Sequence, residues 1–342
     1  MKTNAIESSI KALLAPGKGI LAADESFPTI DKRFKELGIP NTEDNRRAYR
    51  ELLFTAPGLA DHISGVILFD ETIRQRTSGG VPMPEVLSAQ GIVPGIKVDG
   101  GTAALPAFPG EKFTLGLDGL RERLADYVKL GARFTKWRAV FSIGEGTPTE
   151  TCLRTNAGIH ALYAALSQEA GLVPIVEPEI LMDGDHTIAR CEEVATGVLR
   201  QVFAALAEHR VEPELMLLKT GMVLSGEECQ VQAPADEVAA ATVRCFKKTV
   251  PSAVPGIVFL SGGQSDVPAT ERLNAIAKLT GGPWKITFSF GRALQDPAMK
   301  AWGGVAANAG AAQNALLHRA KCNGLAVQAK YTEQTEHEGS TG

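Results

Sequence analysis

No apolar segment of the 342-residue chain reaches the roughly 18 residues that a membrane-spanning helix requires. No long lysine or arginine run is present either, and with a net charge of −4 and a pI near 5.9 the chain offers little to nucleic acid or to an anionic membrane. The five cysteines (Cys152, Cys191, Cys229, Cys245 and Cys322) are odd in number, scattered, and never spaced as Cys-x-x-Cys. They therefore read as reduced thiols of a cytoplasmic protein, with neither a disulfide framework nor a zinc site. Residues 1–18 lack a signal-peptide core, and instead place Ile6, Ile10, Leu13 and Leu14 at helical spacing. No strand is followed by Gly-x-Gly-x-x-Gly or a Walker-type loop, and no linker or low-complexity stretch divides the chain.

What is present is a repeating alternation. Short apolar runs start at Gly19, His62, Val93, Phe134, Leu172, Leu215, Gly256 and Trp284, roughly 30 to 43 residues apart, with helical patterns between most of them. The helical stretches are expected near 41–59, 118–130, 156–169, 187–209, 234–249 and 268–279. Eight strands linked by right-handed crossovers predict one closed (β/α)8 TIM barrel over about 19–292 in a single domain spanning 1–342. An N-terminal helical extension precedes it, and an Ala-rich helix over about 306–330 follows. The tail from Tyr331, rich in Glu, Ser, Thr and Gly, has little to bury and is expected to be mobile. A doubly wound open sheet is the alternative architecture.

Polar residues recur where these strands end: Asp24, Lys97, Lys136 with Arg138, Glu177 with Glu179, Lys219, Ser261 and Arg292. Residues two apart on a strand share a face, so Lys136 and Arg138 co-orient, as do Glu177 and Glu179. Each residue alone has an ordinary structural role, Asp24 as a helix cap, Glu177 as a salt-bridge partner, Lys97 as a solvated lysine. Their convergence on the barrel face that carries active sites is what argues for chemistry. Five cationic side chains at one mouth of an acidic protein imply an anionic ligand. Ser261-Gly262-Gly263 and Gly291-Arg292 follow strands seven and eight, the usual phosphate position of such barrels.

Lys219 ends the apolar run Leu215-Met216-Leu217-Leu218, where burial disfavours its charge. At the ordinary lysine pKa about one amine in a few thousand is neutral at pH 7, and a depression of ~3 units frees about half of them. A neutral Lys219 would attack a ketone to form a Schiff base. Glu177 is the candidate proton shuttle, Asp24 the base for a hydroxyl beyond the breaking carbon–carbon bond, and Lys136, two strands away, the like charge that keeps Lys219 uncharged. A zinc-dependent route would need histidines at strand ends, and none of His62, His160, His186, His209, His318 and His337 falls among the strand-end residues.

The motifs Gly-Ile-Leu-Ala-Ala-Asp-Glu-Ser (19–26), Gly-Ile-Lys-Val-Asp (95–99), Lys-Trp-Arg (136–138), Val-Pro-Ile-Val-Glu-Pro-Glu-Ile-Leu (173–181), Leu-Leu-Lys (217–219), Phe-Leu-Ser-Gly-Gly-Gln-Ser (259–265), Phe-Ser-Phe-Gly-Arg-Ala-Leu (288–294) and Lys-Ala-Trp-Gly-Gly (300–304) resemble, in order, the class I fructose-bisphosphate aldolase family. The resemblance runs from about residue 4 to 331. It implies a metal-free and cofactor-free glycolytic and gluconeogenic lyase, typically a homotetramer, acting on fructose 1,6-bisphosphate and triose phosphates. It makes Lys219 the Schiff-base lysine, Glu177 the proton acceptor, Asp24 the acceptor of the C4 hydroxyl proton, and Lys136 a group acting beside Lys219. Arg138 becomes a neighbouring binding group, and Glu179, which shares a strand face with Glu177, is expected to bind substrate. Ser261, Gly262, Gly263, Ser289, Gly291 and Arg292 become the C1-phosphate site, and Ser26, Arg33 and Lys97 the C6-phosphate region. Three places depart from the family: Phe27-Pro28 replaces a small pair, Thr220-Gly221 follows the lysine where many members have proline and a larger residue, and the terminal tyrosine is missing. Another Schiff-base barrel lyase, or a non-enzymatic sugar-phosphate scaffold, remain the rival readings.

Overall fold

The computed structural model describes residues 2–279 and 281–338. Eight parallel strands, Gly19–Ala23, Ile63–Leu68, Val93–Lys97, Phe134–Phe141, Val173–Ile180, Leu217–Thr220, Gly256–Phe259 and Lys285–Phe290, close into a barrel in chain order. The last strand returns to the first through the register Ile20↔Ser289. The eight runs read from sequence are these strands, most of them trimmed at their ends. Among the described residues, no helix is long and apolar enough to cross a membrane.

Two apolar layers hold the barrel. Outward-facing residues such as Trp137, Val176, Leu218 and Ile257 are buried against the surrounding helices. Inside, Ile20, Phe134, Val173, Ile175, Leu217 and Val258 form a second cluster together with Ile6, Ile10 and Leu13 of the helix Lys2–Leu13 and Leu14 just after it. That helix therefore plugs the N-terminal end of the barrel. Glycine makes the room: a Cβ on Gly65 would stand 2.4 Å from Leu13, and one on Gly256 would stand 2.5 Å from Leu14. With the lower half filled by hydrocarbon, the polar residues of the inner face can meet only towards the other mouth.

Several elements differ from expectation for identifiable reasons. Helix 41–59 is shorter, Glu43–Phe54: Thr42 caps its start by accepting from the Asn45 amide, and its end falls just before Pro57-Gly58. Helix 156–169 starts earlier, at Glu150, capped by Thr149. The helix Phe27–Glu36 has Pro28 in its first turn, where the missing N–H costs nothing. The helix Arg292–Trp302 carries an internal Pro297 that reads as a breaker in sequence. Short helices Asp70–Arg74 and Met83–Ala89, and a hairpin of Thr102–Ala104 with Lys112–Thr114, lie in loops too brief for a periodic signal. The Ala-rich helix spans Ala309–Ala326 rather than 306–330; Ala329 adopts a left-handed φ of 58° and turns the chain away.

The segment after it is better tied down than its composition suggests. Tyr331 is buried and donates to Glu336 Oε2 at 2.6 Å. Residues Glu333–His337 form a helical turn opened by a capping box at Thr332. Residues 339–342 of the expected mobile tail lie outside the described residues.

Candidate active site

Strand register sets the layout. Lys97 pairs with Lys136 across neighbouring strands, and Arg138 pairs with Glu177. Alternation then aims Lys136, Arg138, Glu177, Glu179 and Lys219 into the barrel. Trp137 and Leu218 turn outward into the helix-facing core.

Glu177 bridges the two interior lysines. Its Oε1 lies 3.0 Å from Lys219 Nζ, and its Oε2 lies 3.3 Å from Lys136 Nζ. Lys136 also reaches Asp24 Oδ2 at 2.6 Å. Asp99, on the far side, holds Lys97 Nζ at 2.6 Å through Oδ1 and stands 3.9 Å from Lys136 through Oδ2. Lys136, Glu177, Lys219 and Asp99 are almost fully shielded from solvent. Three ammoniums thus face three carboxylates, which is how a barrel can keep six ionisable groups out of water.

The electrostatics follow from this mesh. Burial would raise the Asp24 carboxyl, but Lys136, Lys219 and Lys97 outweigh it and bring its pKa down to about 2. Asp99 is lowered in the same way, Lys136 and Lys97 prevailing over burial. Burial opposes the Lys136 charge, yet Asp24, Glu177 and Asp99 hold its pKa above the usual lysine range. Lys136 is therefore a fixed cation set among carboxylates, rather than a bare charge acting on Lys219 alone.

The remaining candidates separate into those that face the opening and those that do not. Arg138, its side chain 40% exposed, pairs with Glu179 at the rim. Ser261 is buried just beyond the strand Gly256–Phe259, and Gly262 takes a left-handed φ of 58° that only glycine adopts without strain. Arg292 is exposed and donates to the Gly262 carbonyl, which draws the loops after strands seven and eight together. Gly291 precedes the N-terminus of the helix Arg292–Trp302. The Ser289 hydroxyl is buried with no hydrogen-bond partner among the described residues, a free donor beside that pair of loops. Ser26 shares its hydroxyl with Thr29 at 3.1 Å. Arg33 departs from the reading as an open phosphate ligand: its side chain is 9% exposed, and its terminal nitrogens are committed to Glu25 and to Asp296, the latter at 2.7 Å.

Sequence reasoning passed over Asp99, Glu25 and Arg50. Asp99 sits two residues after Lys97 and accepts from the Arg138 amide at 3.3 Å, so the same i, i+2 rule would have found it. Glu25 joins Arg33 to the buried Arg50, which lies 2.7 Å away. No sequence spacing signals that contact, because it crosses between two helices.

The chain resembles known proteins over nearly its whole length. A family model described as "Fructose-bisphosphate aldolase class-I" matches residues 5–342. A "Probable fructose-bisphosphate aldolase class 1" of Xanthomonas campestris pv. campestris is 54% identical over 332 residues, 97% of this chain and 99% of that one. The fructose-bisphosphate aldolase of Dictyostelium discoideum is 50% identical over 328 residues, 95% of this chain and 92% of its own. Among solved structures, fructose-bisphosphate aldolase of Plasmodium falciparum, crystallised with TRAP and a small-molecule inhibitor, superposes with a TM-score of 0.95 at 47% identity, covering 97% of this chain and 96% of that one. The chain belongs to the class I fructose-bisphosphate aldolase family.

Proposed function

We propose that the chain catalyses the reversible cleavage of fructose 1,6-bisphosphate to dihydroxyacetone phosphate and glyceraldehyde 3-phosphate through a Schiff base on Lys219. The observation that carries the reading is Glu177 held between two buried lysines, 3.0 Å from Lys219 and 3.3 Å from Lys136. Lys219 passes a proton to Glu177 and attacks the C2 ketone as the free amine. Glu177 returns the proton to the carbinolamine oxygen and then relays a second proton from the nitrogen to it, so that water leaves as the iminium forms. Asp24, ionised at neutral pH, accepts the C4 hydroxyl proton as the C3–C4 bond breaks. The bonding pair moves into the iminium to give an enamine, and glyceraldehyde 3-phosphate departs. Protonation at C3 and hydrolysis then release dihydroxyacetone phosphate and restore Lys219. Lys136 stays cationic and holds Asp24 and Glu177 in place for these transfers.

Ser261, Gly262, Gly263, Ser289, Gly291 and Arg292 bind the C1 phosphate, with the backbone of the two loops supplying donors. Ser26, Lys97 and Arg138 face the C6 phosphate. Arg33 joins them only by releasing Glu25 or Asp296. Tyr331 is engaged with Glu336, so C3 protonation falls to Glu177 or to the bound phosphate. A cytoplasmic homotetramer, the usual assembly of the family, is the proposed working form.

Borohydride added with dihydroxyacetone phosphate should reductively label Lys219 and abolish cleavage, while chelator leaves cleavage intact. Label on another residue, or loss of activity in chelator, would overturn the mechanism. A sugar-phosphate scaffold, in contrast, would show no cleavage for Lys219→Met to remove.

A further inference from the structure

We propose that His318, Cys322 and Glu336 form a divalent-metal site of zinc type, which clips the C-terminal segment onto the helix Ala309–Ala326. His318 and Cys322 are four residues apart, hence on one face of that helix. Glu336 comes from the following helical turn, Glu333–His337. One potential ligand atom of each residue lies within 4.8 Å of the other two.

The spacing fits coordination more closely than proximity alone requires. Zinc bonds of ~2.3 Å to sulfur and ~2.0 Å to nitrogen and oxygen, at tetrahedral angles, set an S···N edge of about 3.5 Å and an N···O edge of about 3.3 Å. Cys322 Sγ lies 3.6 Å from His318 Nε2, and His318 Nε2 lies 3.8 Å from Glu336 Oε1. These two edges lie within about half an ångström of the tetrahedral values, and the Sγ–Oε1 edge, within 4.8 Å, shortens as Glu336 turns towards a metal. The donor set, one thiolate, one imidazole and one carboxylate, suits zinc and its cobalt surrogate over calcium or magnesium, which prefer oxygen throughout.

The surroundings support the role. Cys322 is fully buried, while the side chains of His318 and Glu336 are 24% and 17% exposed. The sulfur thus sits at the back of the site and the fourth position opens to water. Arg319 donates to Glu336 Oε1 and Tyr331 donates to Oε2. A carboxylate oxygen has two lone pairs, and ligating carboxylates are commonly hydrogen-bonded in this way. Arg319 is also held by Thr270 at 2.6 Å and faces Asp266 at 3.9 Å, so it stays compensated when Glu336 turns towards a metal. Coordination releases one thiol proton to solvent and leaves oxidation states unchanged. None of the three ligands belongs to the barrel-mouth cluster, so the site is structural and independent of the Schiff-base reading.

The test is titration of the metal-free full chain with Zn²⁺ against a chromophoric chelator, together with Co²⁺ as a spectroscopic probe. Expected are one equivalent bound, a near-ultraviolet thiolate-to-cobalt band, and at least about tenfold weaker binding in both Cys322→Ser and His318→Gln. His318→Gln alters a partly exposed side chain and secures the result if Cys322→Ser folds poorly. Absence of the thiolate band in the wild-type chain, or affinity in His318→Gln within twofold of wild type, would overturn the site.

Discussion

His160 makes acid stability a measurable property of the layer behind the active site. It lies on the helix Glu150–Ala170, is completely buried, and among the described residues neither ring nitrogen has a well-formed hydrogen-bond partner. Burial lowers its pKa from 6.5 to about 4, against the weaker opposing pull of the Trp137 backbone, Glu177 and Asp99. The unfolded ring takes up a proton near pH 6.5 and the folded ring only near 4. Between those values the unfolded state binds more protons, so stability is full above pH 6.5 and falls as the pH falls. The whole difference is worth about 3 kcal/mol, of which about 2 kcal/mol is lost by pH 5. His160→Leu removes the titration and fills the site with hydrocarbon. Urea unfolding of both proteins at pH 8 and pH 5, at equal protein concentration, isolates the effect, since every other titrating group cancels in the double difference. The variant should gain about 2 kcal/mol on wild type between pH 8 and pH 5. An unchanged gap would mean that the ring is already protonated or solvated in the folded chain.

Two further substitutions probe the site and the tail. Asp99→Asn removes the charge between Lys97 and Lys136, and a charge-assisted contact of about 1.5–3 kcal/mol implies a roughly 10- to 100-fold fall in kcat/KM for fructose 1,6-bisphosphate. Steady-state kinetics with wild-type values would show that Asp99 is only packing. Cutting the chain after Tyr331 removes Glu336 and leaves Arg319 and Tyr331 without their shared carboxylate, which should cost about 1–3 kcal/mol in thermal unfolding with nearly unchanged cleavage. A more than tenfold drop in C3 proton exchange on truncation would instead place the segment in the chemistry.

Much of this was legible in the sequence because barrels encode themselves twice. The eight apolar runs mark the strands, and the i, i+2 polar pairs Lys136/Arg138 and Glu177/Glu179 mark the inner face near its mouth. The partners of those groups were less legible. That Lys136 is compensated by Asp24, Glu177 and Asp99 depends on strands separated by up to about 150 residues, and barrel stagger sets which side chains share a level. Arg33 is the opposite case: the family resemblance makes it a phosphate group, and its ties to Glu25 and to Asp296, far along the chain, have no signal in the sequence. The Arg292–Trp302 helix was hidden because Pro297 argues locally against it, while Ala293, Leu294, Ala298 and Met299 bury well enough to override that.

The hydrocarbon plug at the closed end has a consequence for how the chain is made. Gly256, against which Leu14 rests, is synthesised roughly 240 residues after it, or about 12 to 48 s later at ordinary ribosomal speeds. Throughout that interval the first helix has only part of its seat. Ribosome-bound chains stalled before residue 256 should therefore leave the N-terminal helix open to protease, and chains extended past residue 290 should protect it. Protection before residue 256 would show that half a barrel suffices. The order of synthesis thus makes the helix Lys2–Leu13 wait for a strand made much later, and its apolar face stays partly uncovered until the ring is shut.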